Sequence, residues 1–328
     1  MCGIGDIVFL ARALAHQKNY DPSFCVDLVT KRPASELAQK VECIDKVYEI
    51  EKSSDFCALV GRQHDSWDAI LPLGSAEASA FNSLKIDYQR LLELNEFFRS
   101  RMGAFGSQVW FYDRPPGLIY DRLHVTEVLC DLLGCDRSVD SKVGYIEGIS
   151  DQDKAAEEAI CKLKFQCNKI IGFNTGSNWL SKQWGLENYC DLSIRLRKHG
   201  WGIVYFGDEL DHLLVDRNVV SGKNELNICG YYSAASLPEL VSKCDLIISG
   251  DTGVAHVADS LEVPLVVLFG PTANEEYGPL SKTSVAPFED QSCKPCHSRN
   301  CRLARNESHC LTRFDVSRIY SIALAMLV

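Results

Sequence analysis

The sequence predicts an α/β protein made of two consecutive domains, each built around a parallel sheet. Short apolar segments typical of buried strands alternate with stretches of helical periodicity, which is the pattern of βα units. The alternation is interrupted by a polar, charged stretch at residues 148–168 and then starts again. We therefore expect two Rossmann-like domains facing each other across a cleft, the first at residues 1–166 and the second at residues 167–328.

The first half begins with a helix directly after Gly5-Asp6. Its apolar residues recur at i, i+3, i+4, i+7 and i+8, which gives one apolar face: Ile7, Leu10, Ala11, Leu14 and Ala15. The later predicted strands are Phe24–Val29, Val47–Ile50, Ala69–Leu73 and Val109–Tyr112, and the predicted helices are Ser35–Lys40, Tyr88–Arg101 and Leu123–Leu133. A strand normally precedes the first glycine loop of such a domain, so either the true start lies upstream or that strand is absent.

The second half repeats the alternation more regularly, after a connecting helix at Ala155–Leu163. Its predicted strands are Lys169–Phe173, Gly202–Phe206, Leu246–Ser249 and Leu265–Phe269, and its predicted helices are Tyr189–His199, Leu237–Lys243 and Gly253–Leu261. Strands this short and apolar are expected in the buried centre of a parallel sheet.

Composition narrows the classes of function. The 44 acidic residues outnumber the 34 basic ones, giving a net charge of −10, so a broad basic face for nucleic acid is not expected. The only charge before the first apolar run is the negative one of Asp6, unlike a signal peptide, and no segment approaches the ~20 apolar residues of a membrane span. The 15 cysteines are odd in number and the chain is long, which favours reduced thiols in a cytoplasmic protein.

One motif joins a buried strand to a helix through the residues Gly250-Asp251-Thr252-Gly253. The first turn of a helix has unpaired N–H groups and the positive end of the helix dipole, which suits a phosphate. His256 lies one turn into this helix and is near enough to reach the same anion. The alternative is that Asp251 or Thr252 only caps the helix.

A second motif runs from Asn174 to Trp184, directly after a predicted strand. Small residues at the carboxyl end of a strand are where open α/β sheets bind ligands, and Lys182 adds a cation for phosphate oxygens. The spacing does not match GxxxxGK[ST], so a P-loop ATPase is disfavoured. The alternative is that Lys182 is an ordinary solvated surface lysine.

A third motif, Gly3-Ile4-Gly5-Asp6, permits a tight turn with Asp6 at the start of a helix. Helix capping is the alternative for Asp6. Taken together, the three motifs resemble glycosyltransferase family 9, the ADP-heptose:lipopolysaccharide heptosyltransferases and their relatives. The resemblance is strongest in Ser249–Thr272. It implies a GT-B fold, an acceptor domain followed by a nucleotide-sugar domain, and inverting transfer that needs no catalytic metal.

The resemblance also implies roles for individual residues. Asp6 matches the general base that takes the proton from the acceptor hydroxyl, although a free Asp, with a pKa of ~3.9, is a weak base. Lys182 would stabilise the negative charge on the departing ADP. Residues matching the donor site are Thr175, Gly176, Ser177, Glu209, Asp251, Thr252, Gly253 and His256. The implied partners are an ADP-heptose-like donor and a glycan or glycolipid acceptor, the latter with peripheral contact to the inner membrane.

Four cysteines, at Cys293, Cys296, Cys301 and Cys310, form a C-x2-C-x4-C-x8-C array. Four thiolates suit a structural zinc or iron ion, and such a closed site leaves no coordination position for catalysis. Reduced thiols or a redox-labile pair are the alternatives.

Three functions are therefore open. The leading hypothesis is a glycosyltransferase that uses a nucleotide sugar. The others are a nucleotide-sugar epimerase of the same architecture and a degenerate protein that binds nucleotide sugars without turnover.

Overall fold

The computed structural model describes residues 3–52, 55, 58–59, 123–133, 136–137, 140–218, 222–288, 291–303 and 310–327. Three predicted elements lie outside the described residues: Ala69–Leu73, Tyr88–Arg101 and Val109–Tyr112. The chain divides into two compact units, the first comprising Met1–Gln39 and Cys43–Val139 and the second Lys40–Glu42 and Asp140–Val328. Among the described helices, none combines the length and the hydropathy that crossing a membrane requires.

The first unit contains, in its described part, helices α1 (Ile4–Tyr20), α2 (Ala34–Ala38) and α3 (Val125–Leu133) and strands β1 (Asp27–Thr30) and β2 (Lys46–Glu49). The two strands pair in parallel, with Asp27 opposite Lys46. Helix α1 packs against α2 and α3. It was expected to bury one face, but every residue from Ile7 to Leu14 is buried, because packing on more than one side covers the whole middle of the helix.

The second unit begins with helix α4 (Lys154–Gln166) and continues as a Rossmann-like α/β unit. Its strands are β3 (Ile170–Asn174), β4 (Gly202–Phe206), β5 (Glu225–Asn227), β6 (Leu246–Gly250), β7 (Leu265–Leu268) and β8 (Ser284–Val285), and its later helices are α5 (Leu186–Arg197), α6 (Glu209–Asn218), α7 (Leu237–Ser242), α8 (Gly253–Ser260), α9 (Asn274–Tyr277) and α10 (Val316–Leu327). The predicted boundary at 166/167 falls inside this unit, because α4 packs against β4, β5 and α7.

The six strands form one parallel sheet in the order β5-β4-β3-β6-β7-β8. Every residue of β3, β4, β6 and β7 is buried, as the apolar runs predict. The order reverses direction between β3 and β6, which are neighbours in the sheet. In open α/β sheets, ligands bind outside the carboxyl ends of the strands at such a switch point. The expected site in this unit therefore lies after Asn174 and Gly250.

Candidate functional site

The switch point is built on a buried amide. Asn174, the last residue of β3, is 5% exposed, and its Nδ2 donates to the Phe206 carbonyl oxygen (3.0 Å). This bond orients the amide, so that its Oδ1 accepts from the Thr252 hydroxyl (2.7 Å). Thr252 is thereby fixed to the end of the neighbouring strand.

Helix α8 begins at this point without a side-chain cap. Thr252 occupies the N-cap position with an extended backbone, but its side chain makes no capping hydrogen bond, and its hydroxyl donates to Asn174 Oδ1. Asp251 also bonds elsewhere. The interpretation of Asp251 or Thr252 as a simple side-chain cap is therefore wrong, and among the described residues no side chain accepts from the first-turn N–H groups of α8, which start at Gly253. This end of the helix can accept an anion.

Asp251 lies at the centre of a polar cluster beside that helix end. Its Oδ2 accepts from the Lys182 ammonium (2.6 Å) and from the Thr272 hydroxyl (2.6 Å). Its Oδ1 lies 3.0 Å from His256 Nε2. The carboxylate is 3% exposed and the Lys182 side chain 16% exposed. The structure thus brings together Lys182, Asp251 and His256, all predicted from the sequence as site residues.

The electrostatics of this cluster favour a charged carboxylate. Burial opposes ionisation of Asp251, but the hydrogen bond with His256 and the positive charge of Lys182 outweigh it and hold the pKa of Asp251 well below its usual range. Lys182 is therefore anchored by a permanent negative charge. It is not the solvated surface lysine of the alternative reading.

The loop that carries Lys182 lies directly on two strand ends. A Cβ on Gly250 would lie 2.6 Å from the Lys182 carbonyl oxygen, and one on Gly270 would lie 2.7 Å from the Ser181 carbonyl oxygen. Ser177 shapes the same loop, since its hydroxyl accepts from the Trp179 N–H (3.2 Å). Both glycines are thus required by close backbone contact, and Thr175 and Gly176 lead from β3 into this loop.

An acidic side chain that sequence reasoning missed lies close to the glycines that follow β3 and β4. Asp211, on α6, accepts from the Asp208 N–H (3.0 Å), and its carboxylate lies so close to Gly176 and Gly207 that a Cβ on either glycine would collide with it. Burial raises the pKa of Asp211, and the nearby Asp208 carboxylate adds to the rise. Glu209, the predicted ribose contact, is exposed in the first turn of α6.

Asn174, Thr272 and Asp211 are the polar residues that sequence reasoning did not place in the site. A usable signal existed for the first two, because each follows or ends an apolar strand at the carboxyl edge of the sheet. Asp211 gave no such signal, since it lies within a helix of which Val215 is the only buried described residue.

Asp6 lies in the first unit, in the first turn of α1. Its carboxylate accepts the Gly3 N–H (2.6 Å), which is the reach-back bond of a residue at the third helical position. Asp6 therefore contributes to the start of the helix, as the capping alternative holds. Its role as a general base stays a prediction.

The four clustered cysteines differ in their surroundings. Cys310 is buried, Cys296 is exposed, and Cys293 and Cys301 are half-buried. Within the described part of the chain, no group of three or more His, Cys, Asp or Glu side chains is arranged to hold a metal ion. The described geometry thus gives no support to a zinc or iron site, and that site stays a prediction.

Comparison with known proteins identifies relatives. The model of glycosyltransferase family 9 (heptosyltransferase) matches residues 103–306. Lipopolysaccharide heptosyltransferase 2 of Salmonella typhimurium is 30% identical over 110 residues, and the match covers 32% of this chain and 32% of that protein. The chain thus spans about a third of the length of the curated relatives it matches, 32% in the E. coli K12 protein as well.

Two solved structures resemble nearly the whole chain. The E. coli ADP-heptose lipopolysaccharide heptosyltransferase II has a TM-score of 0.69 at 18% identity, covering 100% of this chain and 96% of its own. A family 9 glycosyl transferase from Veillonella parvula has a TM-score of 0.71 at 16% identity, covering 99% and 94%. At such identities the likeness concerns the fold, and it confirms the predicted GT-B class.

Proposed function

The chain belongs to glycosyltransferase family 9, and from this membership we propose that it is an inverting glycosyltransferase. The sugar donor would be an ADP-sugar, either ADP-heptose or a close relative. The acceptor would be a hydroxyl group of the lipopolysaccharide core or of another glycan. The family match and the ADP-heptose enzyme with the similar fold support this proposal.

The single observation that carries the proposal is the Lys182–Asp251 ion pair beside the open start of α8. A nucleotide sugar has a diphosphate, and its departure leaves additional negative charge on that group. A preorganised ammonium and the N–H groups of a helix terminus stabilise such charge as it develops. The buried Asp251 keeps the ammonium in place before the substrate arrives, so little reorganisation is needed.

The reaction would proceed as a direct displacement. The acceptor oxygen forms a bond to the anomeric carbon, the bond between that carbon and the diphosphate oxygen breaks, and ADP leaves with the electron pair. Asp6 takes the acceptor proton. Lys182 and the start of α8 stabilise ADP, while Thr175, Gly176, Ser177, Thr252, Gly253 and His256 contribute to the donor side. For the hydroxyl groups of the donor, the Asp211 carboxylate is a better placed acceptor than the exposed Glu209.

Binding is tested first, by thermal stabilisation of the protein with ADP-, GDP- and UDP-sugars. A ligand that binds only the folded state stabilises it by RT ln(1 + [L]/Kd), so the ADP-sugars are expected to give the largest shift. Lys182→Ala should reduce that shift, whereas Lys154→Ala should not, because Lys154 is an exposed lysine paired with Asp151. Equal shifts in all three proteins would contradict the proposed donor site.

Turnover separates the three classes of function. A transferase releases ADP from ADP-heptose only when a glycan acceptor is present. An epimerase converts its substrate without an acceptor, and a degenerate binder shows stabilisation without turnover. Either of the last two results would overturn the proposal.

A further inference from the structure

The cysteine-bearing stretch 293–301, here called the cysteine segment, is docked on the loop after β7. The N–H groups of Cys296 and His297 both donate to the Pro271 carbonyl oxygen, at 3.0 and 2.9 Å. The Lys294 ammonium donates to the Phe269 carbonyl oxygen (2.8 Å). This side of the segment is therefore fixed to the strand end that also provides Thr272.

The other side of the cysteine segment is docked on the loop that carries Lys182. The Ser181 N–H donates to the Arg299 carbonyl oxygen (3.2 Å), and the Ser181 hydroxyl donates to the Ser298 carbonyl oxygen (2.5 Å). Ser181 is 3% exposed. The segment thus joins the two loops that carry Lys182 and Thr272, the two donors to Asp251 Oδ2.

These contacts bring a second cation to the site. The Arg299 guanidinium carbon lies 5.6 Å from the centre of the Trp179 ring, and the Lys182 ammonium lies 4.8 Å from the same centre. One indole therefore interacts with both cations, a favourable arrangement for each of them. The two cations differ in their anionic partners. Lys182 is paired with Asp251, whereas no ion pair among the described residues includes the Arg299 guanidinium.

We propose that Arg299 is a second diphosphate-binding cation of the donor site. It is carried by the cysteine segment, and the Trp179 ring that contacts Lys182 also positions Arg299. An exposed guanidinium that no described carboxylate pairs with is available for a ligand, and its planar donors fit phosphate oxygens in pairs. The ligand class is a nucleoside diphosphate, whose two phosphates offer more anionic oxygens than one ammonium contacts. This inference rests on the proposed function.

The experiment compares Arg299→Gln, Arg299→Lys and Arg302→Gln in the full chain, with ADP and adenosine as ligands. Arg302 is the matched control, since it is an exposed arginine three residues further along. Loss of a charge-assisted hydrogen bond corresponds to about a tenfold weaker ADP affinity or more. Arg299→Gln should show this loss, Arg299→Lys part of it, and Arg302→Gln none. Adenosine has no phosphate, so its affinity should stay the same in all four proteins.

Salt provides a readout that a purely structural role of Arg299 would not change. An exposed charge contact is screened by salt, so the difference between wild type and Arg299→Gln should shrink as the NaCl concentration rises. Unchanged ADP binding by Arg299→Gln, or an equal loss for adenosine, overturns the inference while the loss in Lys182→Ala preserves the proposed function. A wild-type protein that does not bind ADP overturns both.

Discussion

At the scale of single residues, Asp251 shows how one carboxylate can organise a site. Lys182 precedes it by 69 positions, and Thr272 follows it by 21. The sequence motif assigns Asp251 to the donor, but in the structure its two oxygens are used by protein groups. Its direct contact with the donor stays a prediction, whereas its contact with Lys182 explains why that lysine is held at the switch point.

Asp251→Asn should lower the free energy of unfolding by about 2–4 kcal/mol near pH 7, because it leaves the largely buried Lys182 without its anion. The pKa of Asp251 is lower in the folded state than in the unfolded state, so its contribution is fully present above the ordinary value near 4. It is lost as pH falls through that value towards the folded one. The difference between the two proteins in denaturant unfolding should therefore begin to shrink near pH 5 and continue to shrink well below the ordinary value of about 4.

Asp259→Asn is the control for this variant. Asp259 is a buried aspartate within α8, and it accepts from the Leu280 and Ser281 N–H groups and not from Lys182. Both variants should lose stability. ADP affinity should fall only in Asp251→Asn, and equal affinities in the two variants would show that the Asp251–Lys182 pair does not contribute to binding.

At the scale of elements, the loop between β3 and α5 depends on two glycines from other parts of the sheet. The strand-to-helix motif around Gly250 was visible in the sequence, and Gly270 lies in the stretch Ser249–Thr272 where the family resemblance is strongest. The reason why both positions need glycine was not visible, because the Leu180–Lys182 turn contacts Gly250 and Gly270 only after the sheet has formed. Local sequence thus indicates a turn suited to ligand binding after β6, and tertiary structure decides which backbone approaches its glycine.

Gly250→Ala and Gly270→Ala should each cost about 1–3 kcal/mol of stability, the usual range for overpacking, since each added methyl meets a backbone carbonyl oxygen. Both should also weaken ADP binding, because the turn that has to shift carries Lys182. Gly3→Ala is the control, as its added Cβ would lie at an ordinary 3.6 Å from the Asp6 carboxylate. Denaturant unfolding and ADP titration of the three variants would check this, and a Gly250→Ala protein with wild-type behaviour in both would refute it.

Burial separates the strands and helices that the sequence predicted from those that it did not predict. The apolar strands β3, β4, β6 and β7 were found within a residue or two, because a buried parallel strand has a continuous apolar run. The edge strand β5 was missed, since Glu-Leu-Asn is short and only half-buried. Helix α6 was also missed, because leucines at its exposed positions give no amphipathic period, with Leu210 72% exposed.

At the scale of the whole molecule, the proposed reaction divides between the two units. The described donor-side residues all belong to the second unit, and Asp6 belongs to the first. The restart of the alternating pattern predicted two domains, and the resemblance to the family assigned the acceptor to the first and the nucleotide sugar to the second. A two-unit division implies that binding of the donor and activation of the acceptor are separable, so that a change in one unit need not affect the function of the other.

Asp6→Asn tests that separation, because an amide oxygen still accepts the Gly3 N–H while an amide cannot act as a base. The start of α1 should therefore keep its hydrogen bond and the protein its stability. The rate of transfer should fall by about 10²–10⁴-fold, the usual contribution of a general base, and ADP affinity should stay at the wild-type value.

Asp6→Ala, which removes both the hydrogen bond and the base, should lose stability as well. If Asp6→Asn retains turnover and Asp6→Ala loses only stability, Asp6 is a helix-capping residue and the base lies elsewhere. Measuring kcat, ADP affinity and unfolding on the same two variants separates these outcomes, since each role of the carboxylate has its own readout.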